Sequence, residues 1–395
     1  MFAQWAKTAS FNLKQHACPA GSSKTACNRR LWQLASSLVH RNKIRWFQRL
    51  PVFSSVGQTR SLRANILRTI PPNLKTVIIH QGALGDFLLI LPILEGLSRS
   101  NPSIRIHLWA RAEHAALLAE KPYVAKGPPP VDSELVPFFH DELWKEAKTP
   151  RFLHNAGTIF VFGKATSQLL AERLSRRLPC PVQWIQSFPD QESKQHVHHF
   201  LLNQFRRLGW TLGENLPELK PSLHEISRVK DFLREHTPTS SGRPVLVHPG
   251  SGGLRKVWPL KKWWNLLALL SACKHCPVVM TLGPADKRLK GFAKEVKRLG
   301  VLVFDETTLP RLAALISQCS LFIGSDSGVS HLAALVGIPT VVVFGPTNPN
   351  VWAPRGPHVH VIQESWEEPE VLDWSPDVEP ASLDSPLTRL VMGLL

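Results

Sequence analysis

Short apolar runs alternate with longer stretches of helical period along most of the chain. The runs at 76–80 (TVIIH), 104–108, 158–162, 245–248, 278–282, 301–304, 321–323 and 340–344 are too short for helices and are bounded by Gly, Pro or polar residues. They read as buried strands. Between them, 87–99, 112–119, 165–178, 196–208, 225–236, 260–274, 287–299, 309–319 and 329–336 read as helices, and 181–188 as an extended piece. Such alternation in both halves predicts an α/β protein of two doubly wound domains with a cleft between them. The break falls at 237–243 (TPTSSGR), which has linker composition. The expected organisation is a basic N-terminal extension over 1–73, a first domain over 74–236, the linker, and a second domain over 244–395 ending in a proline-rich tail.

Three loops fall at strand ends, where open α/β sheets bind ligands. In 81–86 (QGALGD), Gly82 and Gly85 let the backbone bend closely before a helix, and Asp86 lies in its first turn. That aspartate is either a general base facing a cleft or simply a residue favoured at helix N-termini. In 248–259 (HPGSGGLRKVWP), the stretch Gly250 to Gly253 with Ser251 and Gly252 offers backbone and hydroxyl donors, and Lys256 offers a cation, to a diphosphate. The third loop, 324–328 (GSDSG), stands beside 345–349 (GPTNP). There Asp326 and His331 flank a helix start that Ser327 caps, with Gly328 behind it; an ordinary polar βα turn reads the same way. No Walker loop and no GxGxxG fingerprint is present, which argues against a dehydrogenase.

Composition narrows the class. The net charge is +17, but residues 1–70 hold 12 of the 47 Lys and Arg and no carboxylate, since the first is Asp86. Without that segment the balance is 35 basic to 30 acidic residues, which suits a diphosphate or an anionic membrane surface and does not call for nucleic acid. The segment itself reads as an arm touching lipid head groups, as a transit peptide, or as a dispensable or misassigned start. No run reaches the ~18 apolar residues of a transmembrane helix. Six cysteines without framework spacing point to a reducing compartment, and the lone Cys273–Cys276 CxxC is weak evidence for a metal. His196, His198 and His199 lack carboxylates at ligand spacing and read as a solvated helix face, so no metal site is expected.

On GALGD (82–86), HPGS…K.WP (248–259) and SDSGVSHLAALVGIPTVVVFGPTNP (325–349), the chain resembles glycosyltransferase family 9, the heptosyltransferases of lipopolysaccharide core assembly. The resemblance spans about 74–361. It implies a GT-B fold of two Rossmann-like domains, acceptor on the first and nucleotide sugar on the second. It further implies that Asp86 deprotonates the acceptor hydroxyl and that Lys256 contacts donor phosphate and sugar. Ser251 and Gly252 then fall in the donor loop, and Asp326, Ser327, Gly328 and His331 meet the sugar and diphosphate. Asp286 takes the place of a longer Glu near the ribose. The expected enzyme is a metal-independent, inverting transferase without a cofactor, using ADP-heptose as substrate and a lipopolysaccharide core or other lipid-linked saccharide as acceptor. Its expected place is the cytoplasm, peripheral to the inner membrane. A non-catalytic scaffold relative and a GT-B sugar-nucleotide epimerase are the alternatives.

Overall fold

The computed structural model describes residues 75–190, 192–214, 216–237, 242–273, 277–305, 307–375 and 385–395. The N-terminal extension, most of the 237–243 linker and Cys276 lie outside the described residues.

Strand β1 (Lys75–His80) is buried along nearly its whole length and runs into the short helix α1 (Leu84–Leu88). Helix α2 (Leu91–Ser100) follows. The single helix expected over 87–99 is therefore two, and it begins earlier. Pro92 lacks the N–H that would continue the ladder from α1, so the chain turns at Leu89–Ile90 and restarts. Strand β2 (Ile106–Ala110) lies two residues beyond its expected place, because the Ile104 N–H donates to Asn101 O at 2.9 Å and closes a turn there. Helix α3 (Ala112–Ala116), strand β3 (Ala156–Gly163), helix α4 (Ala165–Arg177), strand β4 (Val182–Gln186) and helix α5 (Val197–Arg207) complete the first lobe. Its sheet is parallel, in the order β2-β1-β3-β4.

Helix α6 (Leu223–His236) was expected with the first domain, yet its nearest helical neighbour belongs to the second lobe. That lobe comprises β5 (Val245–His248), α7 (Leu260–Ala272), β6 (Val278–Thr281), α8 (Lys290–Val296), β7 (Leu302–Phe304), α9 (Leu309–Gln318), β8 (Leu321–Ser325), α10 (Gly328–Val336), β9 (Thr340–Phe344), α11 (Pro349–Trp352), β10 (Val359–Gln363) and α12 (Pro386–Leu394). Helix α6 packs on α9, and the Arg311 guanidinium donates to Glu225 at 3.3 Å across that contact. The second sheet is also parallel, in the order β10-β9-β8-β5-β6-β7.

The expected proline-rich tail is thus partly regular structure. Strand β10 pairs with β9, and Leu387 and Val391 of α12 are fully buried against the outer face of the second sheet. Between the lobes the core is continuous, with Leu88, Leu91, Leu332 and Ala333 in one buried cluster. No helix among the described residues is long and apolar enough to cross a membrane.

Strand order locates the crevices. In the first sheet the chain leaves β1 for β2 on one side and β3 on the other; in the second it leaves β5 for β6 on one side and β8 on the other. Ligands bind outside the carboxyl ends of strands at such switch points. The turn after β1 and the loops after β5 and β8 are the three stretches singled out above.

Candidate active site

Asp86 sits in the first turn of α1, and its Oδ2 accepts the Ala83 N–H at 3.2 Å. A side chain at position 82 would put its Cβ 2.8 Å from the His80 ring and 3.2 Å from Asp86 Oδ2, so only glycine lets the turn fold over the carboxylate. Burial raises the Asp86 pKa. The Ala83 N–H and the positive charges of Lys256, Lys164 and Arg111 oppose that rise. Of these, Lys256 belongs to the second lobe.

Across the crevice, one aspartate ties three loops together. Asp326 Oδ2 pairs with Lys256 Nζ at 2.9 Å and accepts the Thr347 hydroxyl at 2.6 Å. Ser251 Oγ donates to the Asp326 carbonyl at 2.6 Å, and the Asp326 N–H donates to Val343 O. Ser325 Oγ donates to Pro249 O at 2.8 Å, which joins the end of β8 to the loop after β5. Ser327 caps α10 by accepting the Ser330 N–H. Gly252 and Gly253 border open space, whereas Gly250 packs against Asp286. Buried beside this cluster, His331 has its pKa lowered to about 4 by desolvation, with Asp326 opposing the shift, and it stays neutral.

The two helix starts meet at glycines. A Cβ on Gly328 would lie 2.8 Å from Gly85 N and 2.9 Å from Leu84 Cβ, and one on Gly85 would lie 3.8 Å from the His331 ring. Two glycines without a Cβ therefore let the turn bearing Asp86 pack against the turn bearing Asp326, which pairs with Lys256 of the loop after β5.

Residues 186–375 match the family described as Glycosyltransferase family 9 (heptosyltransferase). Lipopolysaccharide heptosyltransferase 3 of Escherichia coli is 27% identical over 297 residues, covering 68% of this chain and 83% of that protein. Over those residues the chain is similar to glycosyltransferase family 9. Two solved structures share its fold, both at 19% identity. A family 9 glycosyl transferase from Veillonella parvula superposes with a TM-score of 0.59 over 74% of this chain and 86% of its own. The E. coli ADP-heptose lipopolysaccharide heptosyltransferase II does so with a TM-score of 0.58 over 81% and 98%. The fold is GT-B and the protein is a glycosyltransferase.

In this chain the sequence-derived residues do not all face the crevice. Asp86, Lys256, Asp326, Ser327, Gly328 and His331 gather at the contact between the lobes. Asp286, expected near the ribose, turns inward: it is 6% exposed, its Oδ2 accepts the Gly283 N–H at 2.7 Å, and it lies 3.9 Å from His248 Nε2. In this arrangement it shapes the loop under Gly250. The histidines of α5 are not a solvated face. His198 is buried, and His196 caps the helix and reaches the Ala353 carbonyl at 2.9 Å. Three further groups were not singled out from the sequence. Thr347 lies within the quoted motif, and Lys164 and Arg111 immediately follow β3 and β2, a position that strand ends alone would have flagged. Among the described residues no group of three or more His, Cys, Asp or Glu could hold a metal ion.

Proposed function

We propose that this enzyme transfers a heptose, or a closely related sugar, from an ADP-sugar to a hydroxyl of a lipopolysaccharide core or another lipid-linked saccharide, with inversion. The observation that carries the reading is the placement of Asp86 opposite Lys256 and Asp326, on separate lobes that touch at Gly85 and Gly328. Asp86 takes the acceptor proton as that oxygen attacks the anomeric carbon, and its buried site makes it a stronger base than a solvated aspartate. Lys256 exchanges Asp326 for the diphosphate, and the N-terminal N–H groups of α10 receive the charge that develops on the leaving group. Ser251 and Thr347 hold Asp326 in place through that exchange. The E. coli relative named for ADP-heptose supports the donor, and relatives named for lipopolysaccharide support the acceptor. Asp286 supports the donor loop from beneath rather than touching ribose directly. Work at the cytoplasmic membrane face, with the basic extension on anionic lipid, completes the reading.

Calorimetric titration with ADP, UDP and GDP tests the donor assignment. ADP is expected to bind in preference, and Lys256→Ala to weaken it at least about tenfold, the scale of one charge-assisted phosphate contact of about 1.5–3 kcal/mol. Preference for UDP or GDP, or an unchanged ADP affinity in the variant, would contradict it.

A further inference from the structure

Where the lobes meet, a partly open cavity of about 30 Å³ is lined by residues of α1, α2, α5, α10, the 216–217 stretch and the 353–355 segment. That is room for about two or three water-sized occupants at about 10–15 Å³ each, far below the roughly 300–1,000 Å³ of a nucleotide-sized pocket. Leu88, Pro92 and Leu335 form apolar wall. Two nitrogens on the lining residues are buried and have no hydrogen-bond partner: Nε2 of His198, a residue 2% exposed, and Nη1 of Arg355.

Nothing on the described protein balances this group. Among the described residues no carboxylate lies within ion-pair distance of Arg355. Glu214, the carboxylate that acts on His198, is held by Arg206 at 2.9 Å and approached by His199 at 3.8 Å. Asp326, which acts on neighbouring His331, is paired with Lys256. His196 is fixed as a neutral tautomer, because its Nδ1 accepts the His198 N–H at 3.1 Å and its Nε2 must therefore donate to Ala353 O. The remaining charge is the Arg355 cation, with the His198 imidazole beside it.

We propose that the cavity binds one small inorganic monoanion, of chloride or bromide size, between Arg355 Nη1 and His198 Nε2–H, tying α5 of the first lobe to the 353–355 segment of the second. A guanidinium nitrogen and an imidazole buried without partners are each costly, and a single anion satisfies both with charge-assisted bonds. An anion that binds only the folded, apposed lobes stabilises them by mass action.

The test uses the full chain at constant ionic strength, with gluconate exchanged stepwise for chloride. A saturable rise in melting temperature and broadening of the chloride NMR line are expected, both lost in Arg355→Gln and in His198→Leu. Crystals of the unaltered protein grown in bromide are expected to show an anomalous peak within hydrogen-bond distance of both nitrogens, a readout that does not depend on the variants folding. A melting temperature indifferent to the exchange, an undiminished response in folded variants, or ordered water alone at the site in bromide would each overturn the proposal.

Discussion

Asp86 carries two duties that pull on its charge in opposite directions. Its Oδ2 accepts a backbone N–H at the start of α1, which favours the ionised form, while burial disfavours it and prevails. The native state therefore keeps the Asp86 proton to higher pH than the unfolded chain does, and the residue lowers stability as pH rises through the interval between the two pKa values. Two results are expected. The acidic limb of kcat/KM should fall at a pH above the ordinary aspartate value of 3.8, because activity needs the ionised base. Asp86→Asn should melt no lower than the parent at neutral pH, since an amide oxygen still accepts the Ala83 N–H and no charge is buried. A pH–rate profile and a thermal melt check the pair; an acidic limb at or below the ordinary value would remove Asp86 from the base role.

At the scale of elements, the strands were legible because their apolar runs are short, uninterrupted and bounded by turn residues, and β9 falls where it was expected. Strand β10 was not, because VHVIQ is neither an uninterrupted apolar run nor a regular alternation, and none of its residues is fully buried. Helix α12 was masked by the prolines before it, although Leu387 and Val391 are as buried as any core residue. The glycine turns announced where the lobes pack closely, yet they could not say which way a carboxylate points. Asp86 faces the crevice, while Asp286, in an equally polar turn, folds under Gly250. Nor could spacing reveal that His196 serves as a cap whose other nitrogen crosses to the second lobe. The terminal helix gives its own expectation: Leu387→Ala should destabilise the protein by about 2–5 kcal/mol, the cost of emptying a leucine-sized core site. Chemical denaturation measures it, and a change below about 0.5 kcal/mol would show that α12 does not belong to the core.

For the whole molecule, the proposed function divides chemistry and donor recognition between two parallel sheets, each contributing the carboxyl ends of the strands at its own switch point. The Gly85–Gly328 contact lets the halves approach until their backbones nearly touch, and it brings Asp86 of one lobe within electrostatic reach of Lys256 of the other. Such a division has a separable consequence, since removing the base should leave the donor half intact. The measurement that tests this most directly is single-turnover transfer by the parent and Asp86→Asn, with ADP affinity determined on the same samples. The expected result is transfer slowed about 10²–10⁴-fold, the usual contribution of a positioned general base, with ADP affinity within about twofold. Unimpaired transfer, or loss of ADP binding together with transfer in a folded variant, would contradict it.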